Sequence, residues 1–190
     1  MRVFCPKSLF MLAKGMLPAC GAMLVLIGSA TASERSAQLI ESFNDFCNVE
    51  APSFARLDER ATSMKLPGRN ELALPHSGNY FSHSKSWLVF LSSGPHELSG
   101  SEAQVPDGKI TSCGIGAPDA DGDEMRTLLT TSLNLDAPIS VVASPGGKQQ
   151  VTTWKLSRSG SDFVLVLTDG TPTLRSGISI ILVHREFKKS

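Results

Sequence analysis

Two cysteines constrain this chain more than any other feature. Four are present in the 190 residues, but Cys5 and Cys20 fall in a segment with the marks of an export leader. Residues 1–14 carry Arg2, Lys7 and Lys14 and no acid, residues 15–28 are mostly apolar, and Ala30-Thr31-Ala32 fits the small-x-small rule for signal peptidase. Cleavage is therefore expected after Ala32, with 1–32 as signal peptide and 33–190 as a single domain. The apolar run falls short of the ~20 residues of a comfortable membrane span. A retained N-terminal anchor is the alternative. Leu17-Pro18-Ala19-Cys20 has lipobox spacing, but Pro18 and the position of the strongest apolar run, 22–27, after the cysteine oppose lipidation. Cys47 and Cys113 then remain. An even pair in an exported chain favours a disulfide, and two buried free thiols are the alternative. A bridge closing so long a loop stabilises a fold by ~4 kcal/mol in the chain-entropy model.

Charge narrows the partners. The whole chain has 18 basic and 18 acidic residues; removing 1–32 takes three basic residues and no acid, so 15 − 18 leaves −3. No basic stripe remains, and without one the electrostatic drive to bind nucleic acid is missing.

The first part of the expected domain reads as two short amphipathic helices. Leu39, Ile40, Phe43, Phe46 and Cys47 recur on one helical face, with hydroxyl caps offered between Ser33 and Ser36. Pro52 suits the first turn of the second helix, whose apolar stripe is Phe54, Leu57, Ala61 and Met64; Asp58, Glu59 and Arg60 point to water, and Pro67-Gly68 stops it. Residues 69–84 have no period and read as a long loop. Residues 87–91 read as a strand apolar on both faces and hence central, 92–108 as a second polar loop, and 109–115 as an alternating strand. A third helix is marked by Met125, Leu128, Leu129 and Leu133, capped by Asp121 or Asp123. Three strands at 150–156, 163–168 and 178–184 follow, with Arg158-Ser-Gly160-Ser and Asp169-Gly170 as turns; 139–143 is a candidate short strand not counted in the order below.

The order α-α-β-β-α-β-β-β predicts an α+β domain: two N-terminal helices packed on an antiparallel sheet of about five strands, with a third helix inserted. Trp87 and Trp154 sit in apolar alternation and belong to its core.

The residues give little support for catalysis. Asp119-Ala-Asp121-Gly-Asp123 has the alternating carboxylates of a calcium loop, yet Glu124 and Thr130 occupy the positions where an EF-hand needs Gly and Glu. Those acids are better read as the start of the third helix. His76, His83 and His96 lack zinc-ligand spacing, and His184 ends the last strand as an edge residue. There is no G-x-S-x-G elbow, no phosphate loop and no dinucleotide fingerprint. Ser159-Gly-Ser161-Asp162 is a hairpin turn. No catalytic residue, metal ligand or cofactor is therefore assigned. Tyr80 and Phe81 stand apart as aromatics in a predicted loop, where such residues serve recognition of a ligand or partner.

The stretch Phe43-x-x-Phe46-Cys47-x-x-x-Ala51-Pro52-x-Phe54, with a later cysteine on a strand, resembles a group of uncharacterised small exported proteins of Gram-negative bacteria. The resemblance covers about 30 residues plus Cys113. It implies a periplasmic location and a structural cysteine pair, and carries no activity. The expectation is a non-catalytic periplasmic or secreted module, of binding or inhibitor type, for a protein or small ligand, without stable membrane insertion once the leader is removed. A small hydrolase lacking a recognised motif is the alternative; a pocket converging on His76, His83 or His96 would favour it. N-terminal sequencing of protein from the periplasmic fraction should begin at Ser33, whereas an intact Met1 on a membrane-bound species contradicts the leader.

Overall fold

The computed structural model describes residues 32–48, 52–75, 81–118, 120–143, 149–170 and 177–187. Helix α1 (Ala32–Phe46) buries Leu39, Ile40, Phe43 and Phe46 along one side, as their spacing requires. Its first turn lies earlier than the sequence suggests. Ser36, expected among the caps, is fully buried inside the helix. Helix α2 (Phe54–Ser63) starts two residues after Pro52, where the sequence places its first turn. Ser53 is the cap, its hydroxyl accepting from the Arg56 amide, and Pro52 lies just outside.

Eight antiparallel strands follow: β1 (Gly68–Pro75), β2 (Phe81–Leu91), β3 (Gly94–Val105), β4 (Gly108–Ala117), then, after helix α3 (Gly122–Ser132), β5 (Ser140–Ala143), β6 (Gln149–Arg158), β7 (Ser161–Gly170) and β8 (Ile178–Phe187). They form one sheet in the order β1-β2-β3-β4-β8-β7-β6-β5. The chain thus lays down one four-stranded meander, crosses through α3, and lays down a second that returns β8 against β4. Asp121 caps α3 by accepting from the Glu124 amide at 2.9 Å. The β6–β7 hairpin turns on Ser159 and Gly160, both at positive φ, where glycine is at no steric disadvantage.

The α+β class is as expected, but the sheet has eight strands instead of about five. Where the sequence predicts a loop over 69–84, residues 69–75 lie in β1 and 81–84 open β2; most of 92–108, also expected as a loop, is β3. The strand at 87–91 is the end of an eleven-residue strand second from the sheet edge, and Phe90 on its outer side is 66% exposed. His184, expected at an edge, is buried in β8, with its ring stacked on Phe163.

All three helices pack on one face. Cys113 of β4 is bonded to Cys47 just beyond α1, Lys85 of β2 reaches Asp58 of α2, and Asp169 of β7 pairs with Arg126 of α3. The register puts these residues on the same side as Trp87, Leu98, Ile115, Leu182, Leu165 and Trp154, all 2% exposed or less. Both tryptophans are therefore core residues. Gly100 sets how closely α2 approaches, because a Cβ there would lie 2.7 Å from Leu57 Cδ2. Gly100→Val should cost about 1–3 kcal/mol by overpacking, read as a lower Tm. Leu57→Ala in the same chain should recover part of that loss, and an unchanged Tm for the single variant contradicts the close approach.

Candidate interaction surface

Alternation along a strand sends every second side chain to the sheet face away from the helices. No helix lies over that face among the described residues. A solvated face of an antiparallel sheet ordinarily carries polar and charged side chains. This one does so only in part. Across β2, β3 and β4 it is a field of small hydroxyls: Ser84, Ser101 and Ser112 lie side by side in register, with Ser86 and Ser99 in the next row. Ser101 and Ser112 hydroxyls are 2.6 Å apart, and Ser99 donates to the Gly114 carbonyl at 3.3 Å.

Across β8 and β7 the same face turns aliphatic. Val183 stands opposite Val164, and Ile181 opposite Val166. Val151 and Val142 extend the patch to the β5 edge. Val164 is 37% exposed, Val142 56%, and Phe90 and Phe187 stand at opposite ends of the face at 66% each. Among the described residues, four of the seven strongly exposed large hydrophobic ones thus project from one side of one sheet.

The charged side chains of this face flank the aliphatic cluster, with Lys155 directly opposite Val164 and Asp162 two residues before it, and they are paired within the chain. Arg69 meets Glu97 at 2.9 Å, Lys155 meets Asp162 at 2.9 Å, and Arg185 meets Asp107 at 2.5 Å while lying over the Phe187 ring. The Ser157 hydroxyl and the Lys155 ammonium hold the Asp162 carboxyl below its usual range. A neutral centre with a paired polar rim is the layout of a protein interface.

Among the described residues the helix side carries hollows. One of about 340 Å³ lies between α1 and α3, lined by Ala37, Ile40, Glu41, Asn44, Asp45, Leu128 and Ser132. Another of about 200 Å³ sits over the disulfide, beside Pro52, Arg56 and Arg60. Neither gathers a nucleophile, a base and an orienting partner.

The residues singled out from sequence are dispersed. Tyr80 and His76 lie outside the described residues. Phe81 opens β2 opposite Pro75 and Gln104, and its side chain also lies outside them. His83 packs on Phe54 and meets Glu71 at 3.2 Å. His96 stands six positions along β3 from the partner of His83, Glu102, which separates the two imidazoles by roughly 20 Å. Of the acidic loop, Asp121 caps α3 and Asp123 pairs with Arg126; Asp119 lies outside the described residues. Among the described residues no group of three or more His, Cys, Asp or Glu side chains could hold a metal ion. Nor, among them, is any helix long and apolar enough to cross a membrane. The hydroxyl–aliphatic face was not found from sequence. Its signal was present: 163–168 and 178–184 are apolar at both parities, and a strand covered on one side needs only one.

Comparison with protein-family models, curated proteins and solved structures found no match.

Two features on the helix side set stability. Cys47 and Cys113 are joined with Cα atoms 5.3 Å apart, and both residues are buried. Replacing either with Ala should cost ~2–5 kcal/mol in chemical denaturation, with the double variant no worse than a single one. Two titratable thiols in unreduced, denatured wild type contradict the bridge.

His96, 2% exposed, donates from Nδ1 to the Gly94 carbonyl at 3.0 Å, leaving Nε2 buried with no hydrogen-bond partner among the described residues. Burial, and then the nearby Arg35 charge, push its pKa below 6.5 against the pull of that carbonyl. The unfolded chain therefore binds the proton more readily. The resulting stability is complete above about pH 6.5 and is lost as pH falls from there towards the folded-state value. Tm should drop between neutral and mildly acidic pH, and less steeply in His96→Gln. Equal slopes for the two proteins contradict the assignment.

Proposed function

We propose that this protein is a small exported, non-catalytic binding module that docks a protein partner on its open sheet face. The contiguous patch Val164, Val166, Ile181 and Val183 supports this reading most directly. Exposed apolar clusters rimmed by polar residues mark interaction sites; Val164 is 37% exposed, and Val166, Ile181 and Val183 are partly exposed beside it. The rim pairs and the hydroxyl field add to it. Such a face is broad and flat, which suits a protein better than a small ligand; a ligand site is concave and encloses its occupant.

The leader features of residues 1–32 and a bridged cysteine pair support export to an oxidising compartment. The resemblance to small exported Gram-negative proteins points the same way. The hydrolase alternative draws no support from His83 and His96, which do not converge.

A photo-crosslinking amino acid placed at position 164 in cells tests the reading. Cross-links to protein should form from this position and not from position 59 on the exposed side of α2. No cross-link from 164, or equal yields from both positions, overturns it.

A further inference from the structure

We infer that the partner on the open face is a second copy of this chain, packed sheet against sheet about a twofold axis that runs across the strands. This rests on the reading that the open face docks protein. Three features select a second copy.

The first is area. Strands β2, β3, β4, β6, β7 and β8 are 10 to 12 residues long. At about 4.8 Å between strands and 3.3 Å per residue, the eight-stranded face spans roughly 1,100 Å². That exceeds the about 800 Å² per partner of a stable complex.

The second is charge. Arg69–Glu97, Lys155–Asp162 and Arg185–Asp107 are closed within the chain. A partner recruited by opposite charge would have to break one of these pairs. A second copy brings the same neutral centre and the same closed rim, so no charge is buried without its counterpart.

The third is the division of the face into a hydroxyl half and an aliphatic half. A twofold axis along the strands would lay serines on valines. An axis across the strands, in the plane between the sheets, lays like on like. It sets the Val183–Val164 row of one copy over the Ile181–Val166 row of the other. Two sheets in this relation pack about 10 Å apart as the layers of a sandwich, with the self-complementary contact of a twofold dimer.

Sedimentation velocity of the purified, oxidised protein over a wide concentration range tests the inference. The wild type should be a dimer. Val164→Glu should weaken the dimer about tenfold or more and leave the fold of the single chain intact, read as an unchanged far-ultraviolet circular dichroism spectrum, since residue 164 is 37% exposed in the single chain. Ile181→Lys should act in the same way, and Glu59→Lys on α2 should leave the dimer intact. A dimer indifferent to both face variants overturns the inference, as does a wild type that is monomeric throughout. If the wild type is monomeric while position 164 cross-links to a different protein, the second copy is wrong and the binding reading stands. If it is monomeric and position 164 captures nothing, both fall.

Discussion

The bond between Cys47 and Cys113 joins the two layers of this protein at the middle of the sheet. β4 is one of the two central strands, and Cys113 lies on its covered side beside Leu182 of β8 and Gly100 of β3. Cys47 follows the last turn of α1. The bridge spans 66 residues of chain, so it withdraws much freedom from the unfolded state. It also fixes where α1 ends, and so where α2 can begin. Gly100 then admits Leu57 close to the sheet, and Arg60 of α2 stacks on Phe46 of α1.

Holding all three helices on one side has a cost on the other. Each meander contributes four strands, and each strand has two sides. The helices pack on one side of β3, β4 and β7, and among the described residues no helix lies on the other. The second side carries serines across β2, β3 and β4 and an aliphatic cluster on β7 and β8, bordered by Lys155, Asp162 and Arg185. β-branched residues are good strand formers, but Val164, Val166, Ile181 and Val183 form a contiguous cluster where an exposed sheet would ordinarily mix in charge. The binding reading follows from this imbalance, and does not depend on any single polar group.

Legibility from sequence followed the apolar period. Helices α1, α2 and α3 were readable because their buried residues repeat at helical spacing, and β6, β7 and β8 because strong apolar strands stand between clear turns. β1, β3 and the first half of β2 were not. Ser82-His-Ser-Lys-Ser86 has hydroxyls on the open side and, on the covered side, His83 against Phe54 and Lys85 against Asp58. Polar side chains at both parities leave no alternation to read. Ser99-Gly100-Ser101 reads as part of the polar loop 92–108 for the same reason, although Gly100 marks a place where a helix approaches a strand. The cysteine pair could be read from compartment and parity. Tyr80 and Phe81 could not be placed on a surface, since aromatic character in a predicted loop carries no information about what lies opposite.

The central claim is that the bridge ties the helix layer to a sheet that otherwise holds together through its own ladders. Hydrogen–deuterium exchange of the native protein, compared before and after reduction, tests this most directly. The account predicts that reduction speeds exchange at the amides of α1 and α2, while β4, β7 and β8 keep their protection. Equal loss of protection in helices and central strands, or no change anywhere, would contradict it.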